Sequence, residues 1–259
     1  VVTAPDIASK ARAGQFVLLM VSEVGERIPL TIVDRDEKAG TITLIAQEIG
    51  LTTKLLGKLE VGESLYSLVG PLGHATPIKN YGQVILVGGG VGIAEIFPIA
   101  KAMKAAGNEV ITIIGSRTKE LLILENELKE VSTELHIATD DGTAGVKGFT
   151  TSILDSQLKP QTSNLVFAVG PIPMMAKVAE VTKKYNVKTI VSLNSLMIDG
   201  SGMCGGCRVS IKEEVKFTCV DGPEFDAQQV DWQELANRSK TYTEQEKHIC
   251  KLTFPNQKN

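Results

Sequence analysis

The chain has no surplus of basic residues: 27 Lys and Arg stand against 30 Asp and Glu, for a net charge of −3. That excludes the cationic footprint of a nucleic-acid binder. Long apolar runs are missing as well. Val84–Val87 passes straight into glycine, and no run approaches the roughly 20 residues that span a bilayer. No internal repeat or low-complexity tract interrupts the chain. Nothing at the start reads as a signal peptide, although Val1–Val2 stands where a Met would begin a complete chain. The expectation is a cytoplasmic globular protein with 43% hydrophobic residues, long enough for one large or two ordinary domains.

Cysteine is scarce. There are four, and three lie between Cys204 and Cys219. A secreted disulfide framework would spread them to staple distant loops. Close clustering favours metal ligation or redox work in a reducing compartment. Cys250 stands apart and reads as a packing residue.

Three zones follow one another. Residues 1–78 read as short strands with glycine turns: Gln15–Val21, Thr41–Ala46 and Leu65–Val69, the last closed by Gly70-Pro71-Leu72-Gly73. One short helix is expected at Leu51–Leu59. This pattern suggests a small antiparallel barrel. Residues 79–193 alternate strand and helix. Strands are expected at Val84–Val87, Glu109–Ile114, Leu135–Thr139, Leu165–Val169 and Lys188–Ser192. Helices are expected at Ala94–Ala106, Lys119–Lys129, Phe149–Leu158 and Pro173–Tyr185. Such alternation means βαβ units and a parallel sheet. Residues 194–259 are loop-rich, with a hairpin (Cys207–Ile211 and Val215–Cys219) and a polar tail. The fold class is therefore α/β with a β-barrel.

Gly88-Gly89-Gly90-Val91-Gly92 follows a strand and opens a helix. Glycine there lets the backbone approach a pyrophosphate, and the helix N-terminus supplies free N–H groups. A tight βα turn without a ligand gives the same sequence. However, Gly170-Pro171-Ile172-Pro173-Met174 closes a second strand of the same sheet, and two such turns on one edge suggest a cleft. Ser116 and Arg117 end the strand where a Rossmann-like domain reads the adenosine ribose. No acidic residue sits there for a 2′-hydroxyl, so NAD and NADP both remain open. Asp140-Asp141-Gly142 ends the third strand.

The remaining signal is the spacing Asp199-x4-Cys204-x2-Cys207-x11-Cys219. With Cys in place of Asp it is the plant-type [2Fe–2S] pattern. Gly200, Gly202, Gly205 and Gly206 let the backbone turn its N–H groups toward inorganic sulfur. Structural zinc is the competing reading, because three Cys and one Asp also make a tetrahedron. Zinc sites usually pair two C-x2-C knuckles, and Cys219 has no such partner. Asp199 as a plain turn residue is the competing reading of the fourth ligand.

These segments, with Phe217-Thr218-Cys219-Val220-Asp221-Gly222-Pro223-Glu224-Phe225-Asp226, resemble the ferredoxin–NADP+ reductase superfamily over nearly the whole chain. Within it they are similar to the electron-transfer subunits of dihydroorotate dehydrogenase. They are still more similar to the small subunits of NADH-dependent reduced ferredoxin:NADP+ oxidoreductases, in which Asp holds the first ligand position. The resemblance implies an FAD-binding barrel at 1–78, an NAD(H) domain at 79–193 and a [2Fe–2S] domain at 194–259. Its family barrel begins with a strand that this sequence lacks before Val1. It implies flavin contacts at Arg27, Pro29, Leu30 and Thr31, with Arg27 one residue further from Thr31 than the superfamily spacing and Leu30 replacing an aromatic. It further implies flavin contacts at Gly50, Thr52, Thr53, Lys54, Gly70 and Gly73. Pyridine-nucleotide contacts fall at Gly89, Gly90, Val91, Gly92, Ser116, Arg117, Asp140, Gly170, Pro171 and Met174, and the metal ligands at Asp199, Cys204, Cys207 and Cys219. The implied partner is a larger flavin and [4Fe–4S] subunit that handles NADP(H) and exchanges with ferredoxin. A dihydroorotate-oxidising partner and a zinc-stabilised nucleotide-binding regulator are the alternatives.

Overall fold

The structure is a computed structural model that describes residues 1–158 and 163–253. The end of the expected tail, residues 254–259, lies outside them. The first zone contains β1 (Val2–Thr3), α1 (Pro5–Ala8), β2 (Phe16–Met20), β3 (Ile28–Thr31), β4 (Asp34–Asp36), β5 (Thr41–Thr43), α2 (Leu51–Leu56) and β6 (Ser67–Leu72). Its strands form two three-stranded antiparallel sheets, β1-β5-β4 and β3-β2-β6. Ile42 from one sheet and Val17 from the other meet Ile7, Ala11 and Ile32 in a shared core. That common interior makes the two sheets halves of one small barrel.

Strand β3 was not among those expected, and β6 ends later than expected. Ile28–Thr31 contains Pro29, which argues against a strand. Pro29 is tolerated because β3 lies at an edge of its sheet. The strand Leu65–Val69 does not close at Gly70. It runs on through Gly70 and Pro71 to Leu72, because β2 pairs Leu18 with Val69 and Phe16 with Leu72. Two residues of β6 thus face one of β2, which is a bulge.

The second zone contains β7 (Gln83–Gly89), α3 (Ile93–Ala105), β8 (Glu109–Ser116), α4 (Glu125–Val131), β9 (Glu134–Thr139), β10 (Val146–Lys147), α5 (Thr150–Gln157), β11 (Ser163–Val169), α6 (Ile172–Lys184) and β12 (Thr189–Ser192). Alternate residues of β7 explain its unbroken apolar run. Ile85 and Val87 enter one buried core, with α5 and α6 residues. Val84 and Leu86 enter another, with α3 and α4 residues. A strand covered on both faces reads as continuous hydrophobic sequence. The expected helix Lys119–Lys129 is corrected. One 3-10 turn covers Lys119–Leu121, and the helix starts only at Glu125, after Leu124 adopts φ 56°. Leu122, Ile123 and Leu124 turn in against the second core, which breaks the helix.

The third zone holds β13 (Arg208–Ile211), β14 (Glu214–Phe217), β15 (Glu224–Asp226), α7 (Trp232–Arg238) and α8 (Thr243–Thr253). The hairpin turn is Lys212-Glu213, both at positive φ. The expected polar tail is largely helical: Asp231 caps α7 by accepting from the Glu234 N–H at 2.9 Å. Cys250 is buried on α8. Strand β15 pairs antiparallel with β12, so this zone contributes the last strand of a seven-stranded sheet, β10-β9-β8-β7-β11-β12-β15. Among the described residues, no helix is long and apolar enough to cross a membrane.

Candidate functional site

The chain leaves β7 in one direction across β8 and β9, and returns on its other side through β11 and β12. The carboxyl ends of β7 and β11 therefore form a topological switch point, where a crevice opens in sheets of this kind. Both strands end in glycine there. A Cβ on Gly170 would stand 3.1 Å from the Gly89 Cα, so the two turns touch backbone to backbone. A Cβ on Gly92 would stand 2.5 Å from the Val169 carbonyl oxygen. Gly90, at φ 56°, has open space where a side chain would be. These glycines make a bare backbone cradle at the start of α3, suited to a pyrophosphate.

Two cavities meet at this cradle. The first, about 350 Å³, lies between the barrel and the sheet. Pro29, Leu30 and Thr31 line its barrel side, and Gly89, Val91, Gly92, Gly170 and Pro171 line its sheet side. Asn194 and Met197, which lead into the cysteine loop, complete the wall. The second, about 600 Å³, lies further along the strand ends and is lined by Gly89, Gly90, Ser116, Arg117, Asp140, Pro171 and Met174. Lys177 joins it there, a cation the motif reading passed over.

The other sequence candidates fall outside both cavities. Arg27 is exposed and lines a third cavity, of about 600 Å³, with Arg238 and Tyr242. Thr52 and Lys54 are buried on α2. The Thr53 hydroxyl accepts from the Ile49 and Gly50 N–H groups, each at 3.1 Å, and so caps its own helix. Gly70 packs on Val17 in the bulge. Gly73 lines a separate groove between the barrel and α3, with Pro98, Lys101 and Ala105 on the helix side.

Glu95 is the residue that sequence reasoning missed. It sits in the first turn of α3 and lines the first cavity. Thr31 Oγ1 donates to its Oε2 at 3.2 Å. Burial raises the carboxyl above its ordinary value, against the opposing hydrogen bonds from Ser192 and Thr31. Glu224, on β15, is pushed up to about 8, first by burial and then by the charge of Glu95, while its hydrogen bond to Thr76 opposes the shift.

The four candidate ligands are arranged as two pairs. The Cys207 thiol donates to Cys219 Sγ at 3.2 Å, and both are buried. Asp199 Oδ1 accepts from Ser201 N at 2.8 Å, and its Oδ2 from Cys204 N at 3.1 Å, which draws the aspartate to the exposed cysteine. The Ser201 contact, first of several, holds the Asp199 carboxyl below its usual range and therefore ionised. Gly206 N points at Cys204 Sγ from 3.5 Å. Among the described residues, no group of three or more His, Cys, Asp or Glu is gathered as a single metal ion would need. Two pairs, with backbone N–H groups turned toward sulfur, fit a two-iron cluster with two ligands on each iron. The donor set and the glycine loop thus suit the group that the spacing implied.

The fold defines the class. The chain superposes on a ferredoxin reductase of carbazole 1,9a-dioxygenase with a TM-score of 0.59 at 19% identity, over 70% of this chain and 58% of that one, so it has a ferredoxin-reductase-like fold. The family described as the iron–sulfur cluster binding domain of dihydroorotate dehydrogenase B matches residues 194–231. A Thermotoga maritima protein named dihydroorotate dehydrogenase B (NAD(+)), electron transfer subunit homolog, is 46% identical over 94% of this chain and 86% of its own length. The chain belongs to the family of dihydroorotate dehydrogenase B electron-transfer subunits and their homologues. It also superposes on a chain from the structure of an NADH-dependent reduced ferredoxin-NADP oxidoreductase, with a TM-score of 0.92 and 45% identity, over 97% of this chain and 91% of that one.

Proposed function

We propose that this chain is the electron-transfer subunit of an NAD(H)-dependent flavin and iron–sulfur oxidoreductase. The observation that carries this reading is the first cavity. The barrel, the glycine strand ends and the lead-in to the cysteine loop all wall one space. FAD would lie against Pro29, Leu30 and Thr31. NAD(H) would lie on the Gly89–Gly92 cradle and reach the second cavity past Ser116, Arg117 and Asp140. Asp199, Cys204, Cys207 and Cys219 would hold the [2Fe–2S] cluster. When bound, these groups supply the conversion of a two-electron transfer into single-electron steps.

The chain's own residues bind and orient. Gly89, Gly92 and Gly170 admit the nucleotide by withholding side chains. Phe16, Leu18 and Met197 pack with Cys207 and Cys219, so strand β2 of the barrel lies directly against the buried cysteines. Around the exposed Cys204, Met203 is 88% exposed, with Leu196 and Ile198 about half exposed. An apolar rim beside a one-electron exit supports docking of a larger catalytic subunit. In this reading that subunit carries flavin and [4Fe–4S] clusters, handles NADP(H) and exchanges with ferredoxin. The high likeness to the NADH-dependent reduced ferredoxin-NADP oxidoreductase chain supports that choice.

A dihydroorotate-oxidising partner is the second reading, favoured by the names of the family relatives. Anaerobic co-purification with flavin and metal analysis tests both. A partner with [4Fe–4S] clusters and NADP(H) activity supports the first reading. An FMN-only partner that oxidises dihydroorotate replaces it with the second.

A further inference from the structure

Arg238 reaches back across the third zone into the cysteine loop. Its Nη2 donates to the Gly206 carbonyl oxygen at 3.1 Å, 32 residues earlier in the chain. Gly206 lies between two of the candidate ligands, Cys204 and Cys207. Its own N–H donates to Cys204 Sγ at 3.5 Å, and its carbonyl belongs to the peptide unit that continues into Cys207. Gly205, at φ 65°, allows the tight turn between the two cysteines. Among the described residues no backbone N–H reaches the Gly206 oxygen, so the guanidinium fills an acceptor that the loop leaves open.

The helix that carries Arg238 is fixed relative to that loop. The Asp231 N–H, at the start of α7, donates to the Ser210 carbonyl at 3.0 Å, and Val230 bridges Ile211. Trp232 Nε1 donates to the Ala227 carbonyl at 3.1 Å, and Leu235 is buried in the core of the seven-stranded sheet. Helix α7 is thereby held on β13, the strand that starts immediately after Cys207. An Arg in a last helical turn has an ordinary explanation in the helix dipole. Here backbone groups already meet the carbonyls of that turn: Ser239 N donates to Leu235 at 3.0 Å, and Lys240 N to Asn237 at 3.2 Å. The side chain is aimed at the loop instead. Glu26 and Glu246 share its cavity, but among the described residues no carboxylate forms an ion pair with it. Its charge is left to act on the loop.

We propose that Arg238 is a positioning residue that raises the reduction potential of the cluster through the Gly206 peptide. The inference rests on the iron–sulfur reading above. Three thiolates and a carboxylate give the cluster a net negative charge, and reduction makes it more negative still. A cation one peptide away from two of the ligands favours the reduced form. The hydrogen bond acts in the same direction. It polarises the peptide unit between Gly206 and Cys207, which draws electron density away from the ligand loop. Arg238 thus favours transfer from the flavin to the cluster over the reverse.

The test is an EPR-monitored redox titration of the cluster-loaded protein at fixed pH, with iron counted per chain. Arg238→Gln and Arg238→Met remove the charge and alter no candidate ligand. In both, iron content stays at the wild-type level. At a fixed ambient potential, the ratio of reduced to oxidised cluster falls about threefold or more, roughly 30 mV for a one-electron couple at about 59 mV per tenfold. Arg238→Lys, which keeps the charge, stays closer to wild type than either. The offset between wild type and Arg238→Gln shrinks in high salt, because the side chain is only half-buried. Wild-type potentials in both neutral variants overturn the proposal, and so does an Arg238→Lys potential as low as theirs. Neutral variants that lose their iron overturn it too, since Arg238 would then hold the loop together without setting a potential. All three outcomes leave the iron–sulfur reading standing, as the wild type still shows its cluster signal. Wild-type protein with no such signal overturns both.

Discussion

Cys207 and Cys219 are twelve residues apart in sequence, yet their sulfurs lie 3.2 Å apart just beyond the open end of the β13–β14 hairpin. The pair is buried against Phe16 and Leu18 of the barrel. Burial, and then the neighbouring Cys207, push the Cys219 thiol up to about 12. The Cys219 thiol is thus neutral in the bare chain, and a metal must displace its proton to bind.

The aspartate is the ligand most open to test. Asp199→Ala should lower iron content and abolish or alter the EPR signal of the reduced cluster. Asp199→Cys should keep two irons per chain and change the midpoint potential, because thiolate replaces a harder ligand. Unchanged iron and EPR in Asp199→Ala would return Asp199 to the role of a turn residue, organising the loop through Ser201 and Cys204.

Gly92 gives a prediction about the nucleotide cradle. A Cβ there would press on the Val169 carbonyl from 2.5 Å, and main chain cannot swing aside as a side chain does. Gly92→Ala should destabilise the protein by about 1–3 kcal/mol, the cost of overpacking. It should also weaken NADH binding by pushing the two glycine turns apart. Thermal unfolding and fluorescence titration check the two effects separately.

Glu224 makes stability depend on pH in a stated direction. Its folded affinity for a proton, about 8, exceeds the ordinary 4.5, so the folded state holds more proton than the unfolded state between those values. Stability is then full below about 4.5 and falls as pH rises through 8. In Glu224→Gln that part of the slope should vanish, as read from Tm against pH. An unchanged slope would show that Glu224 is ionised in the fold at ordinary affinity.

What could be read from the sequence depended on how local each signal is. The strand and turn around Gly88–Gly92 were legible because strand, glycine and helix follow one another directly. The cysteine spacing was legible because three ligands lie in one loop and hairpin. Glu95 was not, since an acidic residue in a first helical turn has an ordinary explanation in the helix dipole. Its meaning comes from Thr31, 64 residues away. Strand β15 is three residues long, and only its pairing with β12 makes it a strand. Helix α8 has few apolar residues, and the burial of Cys250 shows which face turns inward.

The central claim is that one chain joins NAD(H), flavin and a two-iron cluster in sequence. Anaerobic titration of the purified protein with NADH, followed by visible absorption and EPR, tests it most directly. The account predicts flavin bleaching together with a reduced [2Fe–2S] signal, at one flavin and two irons per chain. A colourless protein that binds zinc, or a flavin that bleaches while no cluster signal develops, would contradict it.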